Sequence, residues 1–269
     1  MNVAILSPHL DDAVLSCWHV LEERDKATVV NVFTGSPPHG TQAPSWDRLT
    51  GATDPVERMR ERREEDRRAL AVVGRDAVYL DLLDSQYGRD ELSTGWLAAR
   101  LRTLLEPDTV VHAPAGLSRH PDHECVRDAA LELARAGSQV MIYADLPHGI
   151  RHGWPAWVAG VPEPPGIDVD AEWAGVLGEA GLAVERLVAR VRPLDAQARE
   201  RKLSALAEYR TQRVALDGLG FVPLDDPRAL AFEVSWAVPA PASALGRPDE
   251  PDAEPLVSDT GSEPLHDGR

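Results

Sequence analysis

The sequence predicts an α/β fold with a mostly parallel sheet, and three observations carry that reading. Apolar, largely β-branched runs recur at residues 3–6, 28–35, 77–80, 109–114 and 140–143. Stretches of helical period separate them, the alternation that builds βαβ units with right-handed crossovers. Two runs end in turns that hold imidazole and carboxylate together, Ser7-Pro8-His9-Leu10-Asp11-Asp12 and Arg119-His120-Pro121-Asp122-His123. Sheets of this class bind ligands beyond the carboxyl ends of their strands.

Taken in order, Val3-Ala4-Ile5-Leu6 is a buried strand almost at the N-terminus, and Val14, Leu15, Trp18 and Leu21 mark one face of the helix after it. Thr28 to Gly35 is a second strand closed by glycine. Residues 36–53 form a Pro/Gly-rich loop, longer than a connector needs and of the kind that is often functional. Asp54-Pro55 caps a charged helix that runs to Val73-Gly74, with Arg/Glu pairs at i,i+4 spacing. Ala77-Val78-Tyr79-Leu80 is the third strand, and a helix spans about Thr94 to Leu105. Thr109 to Pro114 is the fourth strand, followed by a helix from Glu124 to Ala136. Val140 to Tyr143 is the fifth. An insertion follows at 147–165, rich in Gly, Pro, Trp and His. Leu187 to Val191, a helix from Ala196 to Arg213 and a last alternating strand, Phe232 to Trp236, complete the body. From Pro239 to Arg269 the chain is Pro-, Ala-, Gly- and Asp/Glu-rich and predicts a disordered acidic tail beyond one domain of residues 1–238.

A chain of 269 residues with a formal charge of −16 can bury a substantial core, and its charge argues against nucleic acid or an anionic membrane as partner. It has no apolar run long enough to span a bilayer and starts directly in a strand, without a signal peptide. Cys17 and Cys125 are the two cysteines, which fits a reduced, cytoplasmic protein better than a disulfide scaffold.

The two motif turns suggest one site. His120 and His123, three residues apart at the start of a helix, project to one side. With His9 and one of the Asp11–Asp12 pair they offer a His/His/Asp ligand set with an open position, the pattern of catalytic zinc. Such a metal brings the pKa of a bound water from ~16 to about 7 and polarises a carbonyl; an adjacent carboxylate can take the proton. Neighbouring residues on a turn do not easily face one metal, so Asp11 and Asp12 divide between the two roles. The residues alone do not say which does which.

Pro8-His9-Leu10-Asp11-Asp12 and His120-Pro121-Asp122-His123 together resemble the PIG-L/LmbE-like zinc-dependent de-N-acetylases. Arg62-x-x-Glu65 with Val73-Gly74, Asp84 after the third strand, and Lys202-x-x-Ala205-x-x-x-Tyr209-x-x-Gln212 extend the resemblance over roughly residues 2 to 236. The resemblance implies a Rossmann-like three-layer α/β sandwich that removes an N-acetyl or N-acyl group from an amino sugar or glycoconjugate. It implies His9, Asp12 and His123 as ligands of zinc, with iron(II) or another divalent metal as the alternative. Asp11 would be the general base, and His120, oriented by Asp122, would stabilise the oxyanion or protonate the amine. Leu10 and Ala13 depart from the family's His-Pro-Asp-Asp-Glu at positions that are not ligands, which leaves the substrate less defined than the metal site.

Arg62 and Asp84 are expected to touch substrate; a solvated ion pair and a turn-forming side chain are the plainer readings. Lys202, Tyr209 and Gln212 read as packing and capping groups. His148, His152, Trp154 and Trp157 lie in the insertion, where contact with substrate competes with packing. The alternatives to sugar N-deacetylation are the same hydrolysis on a thiol conjugate or natural-product amide, and a non-catalytic sugar-binding member of the family. A nucleotide-binding turn is excluded, because the first turn has no glycines and its two carboxylates would repel phosphate.

Overall fold

The computed structural model describes residues 1–218, 223, 226 and 228–239. Its strands are β1 (Val3–Ser7), β2 (Ala27–Asn31), β3 (Ala77–Tyr79), β4 (Val110–Pro114), β5 (Val140–Tyr143), β6 (Val188–Pro193) and β7 (Phe232–Ala237). They pair into one sheet of order β3-β2-β1-β4-β5-β7-β6. The first five are parallel, with Val3 opposite Ala27 on one side of β1 and Val110 on the other. β7 runs antiparallel to β5, and β6 antiparallel to β7. This is the expected three-layer α/β arrangement with a mostly parallel sheet.

The helices are α1 (Asp12–Ser16), α2 (Trp18–Glu23), α3 (Ser45–Leu49), α4 (Pro55–Ala71), α5 (Thr94–Leu104), α6 (Pro121–Arg135), α7 (Ala156–Ala159), α8 (Val169–Glu179), α9 (Ala196–Leu206) and α10 (Arg210–Gly218). Right-handed crossovers place the β1-to-β2 and β2-to-β3 connections on one face of the sheet and the β3-to-β4 and β4-to-β5 connections on the other. The packing agrees: α5 lies against α6, whereas α4 meets α9 and α10, and α1 meets α9. The core between the layers is apolar, with Ile5, Val29, Val111 and Ile142 buried in the sheet and Leu15, Leu70, Leu101 and Leu133 on the helices facing it.

The winding of the sheet reverses between the parallel neighbours β1 and β4, since β1 continues toward β2 and β4 toward β5 on the other side. The crevice at such a switch point is where open α/β sheets bind ligands. Both motif turns leave from these two strands.

Several helices depart from the sequence reading for reasons that lie far along the chain. The first helix breaks at Cys17, because the Trp18 and His19 amides donate to the Glu233 carboxylate at 2.7 and 2.9 Å instead of continuing the ladder. The helix expected over 196–213 is two, α9 and α10, separated at 207–209. The helix expected to start at Glu124 starts at Pro121, with His120 as its N-cap. The 36–53 loop contains α3, and the 147–165 insertion contains a 3-10 turn, His148–Ile150, and α7. Residues 240–269, which hold nearly all of the expected tail, lie outside the described residues. Among the described residues no helix is long and apolar enough to cross a membrane.

Candidate active site

The first turn is braced by its own side chains. Ser7 Oγ donates to the His9 carbonyl at 2.6 Å and accepts the Ala13 amide at 3.0 Å, while the His9 amide donates to Asp12 Oδ2 at 2.8 Å. This folds the turn over the end of β1 and buries Asp11 and Asp12. On the second turn Pro121 occupies the first helical position and His120 Nδ1 accepts the Asp122 amide at 3.2 Å, so the imidazole itself caps α6.

His9, Asp12 and His123 bring ligand atoms within 4.8 Å of one another. Asp12 Oδ2 lies 3.5 Å from His9 Nδ1 and 3.4 Å from His123 Nε2. Metal–ligand bonds of ~2.0–2.2 Å at tetrahedral angles separate donor atoms by about 3.3–3.6 Å, so these spacings fit a zinc-sized ion. The far side of each imidazole is also engaged: His123 Nδ1 is 3.2 Å from Asp145 Oδ2 and His9 Nε2 is 3.2 Å from Asp122 Oδ2. Carboxylate partners of this kind fix ring orientation and tautomer in metal sites. Asp145 is completely buried at the carboxyl end of β5, where it also accepts the Gly116 and Ser118 amides at 3.0 and 3.3 Å.

His9, His120 and Asp122 form a second trio within 4.8 Å, sharing His9. Its donor atoms are more fully committed. The Asp122 carboxylate accepts from Arg89 and from the Ser85 amide, and His120 Nδ1 is occupied by the helix cap. The structure differs here from the sequence reading, in which Asp122 orients His120. The side-chain partners of the Asp122 carboxylate are His9 and Arg89, and capping α6 turns His120 Nδ1 toward the backbone.

Charge follows from this crowding. Burial and the adjacent Asp12 charge push the Asp11 carboxyl up to about 7. Asp12 is buried too, but His123 and His9 hold it below the ordinary carboxylate range. Burial opposes protonation of His9, yet Asp12, Asp122 and Asp84 carry it well above its ordinary value. Burial, reinforced by His9 and His123, takes His120 down to about 3, which makes it a neutral imidazole. Its Nδ1 is an acceptor in the cap, so the proton sits on Nε2 and that atom is a donor.

The cavity at the switch point is lined by His9, Asp12 and His123 together with Asp11, His120, Arg62 and Asp84. Asp84 caps the 3-10 turn Ser85–Tyr87, accepting the Gln86 amide at 2.9 Å and the Gln86 side chain at 2.7 Å. Arg62 is not a solvated ion pair. Its Nη2 donates to Asp47 Oδ1 at 2.7 Å, and Tyr87 donates to Asp47 Oδ2 at 3.0 Å, with Asp47 fully buried. Sequence reasoning missed Asp47, Arg89 and Asp145. Gln212, read as a packing group, lines the cavity, as does His148 from the insertion. Trp154 belongs to the core, its indole donating to the Arg228 carbonyl at 2.8 Å and its ring packed on Trp173 and Phe232. Trp157 is exposed and bonds Asp170.

Residues 4–134 match the PIG-L family, described as GlcNAc-PI de-N-acetylase. Among solved structures, a deacetylase triple mutant of the teicoplanin biosynthetic pathway is 27% identical with a TM-score of 0.68, over 90% of this chain and 100% of that one. An A40926 pseudoaglycone deacetylase is 28% identical with a TM-score of 0.61, over 89% and 99%. A deacetylase–teicoplanin complex, 24% identical over 88% and 98% with a TM-score of 0.62, shares the fold. No curated protein matches the sequence. Both motif turns fall inside the segment that matches the PIG-L family, at the ends of the two strands that flank the switch point.

Proposed function

We propose that this chain, over residues 1–238, is a metal-dependent hydrolase that removes an N-acyl group, N-acetyl in the simplest case, from an amino sugar or sugar-linked conjugate. The observation that carries the reading is the convergence, in one cavity, of the His9/Asp12/His123 trio with Asp11 and the Nε2–H of His120. The match of residues 4–134 to the PIG-L family and the two solved structures above 25% identity, both described as deacetylases, point the same way.

In this reading His9, Asp12 and His123 hold the metal, His9 through Nδ1 and His123 through Nε2. A divalent ion there, zinc being the best fit to the donor set, would acidify a water and polarise the amide carbonyl. Asp11, free of the ligand set and raised toward neutrality by burial, takes the proton of the attacking water. His120 donates from Nε2 to the oxygen on which charge develops. The amine leaves with the proton that Asp11 carried. Asp122 and Asp145 are positioning residues that aim His9 and His123. Asp84 and Arg62, at the cavity lining, contact hydroxyl or carbonyl oxygens of the substrate.

The test is release of free amine and carboxylate from N-acetylated sugars and glycoconjugates, followed by mass spectrometry with zinc or iron(II) supplied. Asp11→Asn should retain stoichiometric metal by elemental analysis and lose turnover by at least a hundredfold. His9→Ala and His123→Ala should lose the metal. Turnover that survives both chelation and Asp11→Asn would remove the mechanism.

A further inference from the structure

The long segment 36–53, between β2 and α4, reaches the cavity through α3, where Trp46 lines the wall. The next residue, Asp47, is fully buried and does not line the cavity itself. Both oxygens of its carboxylate are engaged: Oδ1 accepts Arg62 Nη2 at 2.7 Å and Oδ2 accepts the Tyr87 hydroxyl at 3.0 Å. Its carbonyl accepts the Thr50 and Ala52 amides at 3.2 and 2.9 Å, which folds the end of α3 back over it. Arg58, one turn before Arg62 on α4, donates from Nη2 to the Thr50 carbonyl at 3.1 Å. The segment is thus pinned to α4 at two levels, one helical turn apart.

Three stretches of the cavity wall meet at this carboxylate. Trp46 precedes it in the chain, Arg62 is its ion-pair partner, and Gln86 precedes Tyr87 in the turn that Asp84 caps. Trp46 and Gln86 are partly exposed, so they offer surface to a ligand. A guanidinium is costly to keep buried without a counter-charge. Without Asp47, Arg62 would turn toward water and leave the wall. Asp47 engages one nitrogen of Arg62, and most N–H donors of the guanidinium remain for other acceptors. An aromatic ring, an amide and a cation together suit the apolar face and hydroxyl rim of a sugar ring. Asp47 is enclosed, so its part is to hold the others in place.

We infer that Asp47 is a positioning residue for substrate recognition: it fixes Trp46, Arg62 and Gln86 as one wall and makes residues 36–53 part of the active site. This rests on the hydrolytic reading above and assigns the residue that sets its sugar-binding surface. His9 and His123 are aimed separately, by Asp122 and Asp145. Loss of Asp47 therefore weakens substrate binding and spares metal binding.

The experiment is a double-mutant cycle of Asp47→Asn and Arg62→Gln on the metal-loaded protein. It follows amine release from N-acetylglucosamine and calorimetric binding of glucosamine. Asp47→Asn keeps the shape and removes the charge that holds Arg62. KM and the Kd of glucosamine should each rise about tenfold, the worth of a charged hydrogen bond, with kcat within about threefold. Zinc content should stay stoichiometric. In the Arg62→Gln background the same change should have almost no further effect, because Asp47 acts through Arg62. Full additivity of the two changes, or loss of zinc, would overturn the inference. So would a lower urea midpoint with KM and Kd unmoved, the result for a packing residue. Tyr87→Phe covers the case in which Asp47→Asn does not fold. It frees Oδ2 alone and should raise KM and Kd by about two- to fivefold; unchanged values would remove the shared wall. A parent protein that binds no glucosamine would remove the sugar-facing wall as well. Weaker glucosamine binding in Asp47→Asn, with no amide cleaved by the parent, would keep Asp47 in this role and overturn the hydrolase.

Discussion

Asp145 Oδ2 lies 3.2 Å from Nδ1 of His123, while Nε2 of the same ring faces Asp12 Oδ2 at 3.4 Å. The buried carboxylate fixes the Nδ1–H tautomer and leaves the Nε2 lone pair for a metal. Such outer partners are typically worth 10–100-fold in metal affinity. Asp145→Asn can present its carbonyl oxygen to the same N–H and is expected to weaken zinc binding by about tenfold. Asp145→Ala leaves His123 free to rotate and should cost closer to a hundredfold. Competitive titration against a chelating dye would check both, and unchanged affinity in Asp145→Ala would dismiss the role.

Arg89 holds Asp122 from the other side of the site. Its guanidinium donates to Asp122 Oδ1 and lies over the Phe33 ring, 4.6 Å from the centroid. Asp122 is completely buried, so Arg89→Met would leave its charge with only His9 and the Ser85 amide. The expected loss is about 1–3 kcal/mol of stability in denaturant unfolding, together with a fall in kcat larger than the change in KM. Added guanidinium ion should restore part of kcat in Arg89→Ala. A variant that loses stability without loss of kcat would make Arg89 a packing residue.

How much of this was legible beforehand can be seen from particular residues. The runs around Ile5, Val29, Val111 and Ile142 are buried on both faces of a parallel sheet, which makes them continuous and easy to read. His9, Asp11, Asp12, His120 and His123 stand in two short motifs that local spacing alone assembles. Asp145, Asp47 and Arg89 carry no local signal, because each acts on a residue at least 15 positions away: His123, Arg62 and Asp122 respectively. The break at Cys17 was hidden for the same reason, its cause being Glu233, 215 positions beyond Trp18. The role of Asp122 was misassigned because spacing within His120-Pro-Asp-His123 does not show that His120 turns its Nδ1 back to cap α6.

Glu233 and Lys202 form a buried pair at 2.7 Å that also takes the His19 side chain and the two amides after Cys17. Lys202→Met would strand a carboxylate that ties α2, α9 and β7 together, at a cost of about 3–5 kcal/mol. Burial works against the Glu233 charge, but Lys202 and His19 bring its pKa down to about 2 from an ordinary 4.5. A depressed carboxyl stabilises the fold above its unfolded value and loses that contribution as pH falls from about 4.5 toward 2. Urea unfolding between pH 2 and 6 should show this acid limb in the parent protein and a much shallower one in Lys202→Met.

Asp66 has the opposite sign. Its carboxylate accepts Asn31 Nδ2 at 2.8 Å, the Tyr79 hydroxyl at 2.7 Å and the Tyr209 hydroxyl at 3.0 Å, yet burial outweighs these bonds and lifts its pKa from 3.8 to about 7. The folded chain then holds a proton that the unfolded chain has released between those two values. Stability from this group therefore falls as pH rises from about 4 to 7 and is level above. A shift of that size corresponds to about 4 kcal/mol. Asp66→Asn keeps the shape, offers a carbonyl to the tyrosines and has no charge to desolvate. It should be less stable than or equal to the parent near pH 4 and more stable at pH 8, with the two unfolding-energy curves crossing between. Parallel curves across that range would mean that Asp66 stays ionised in the folded protein, held by its three donors.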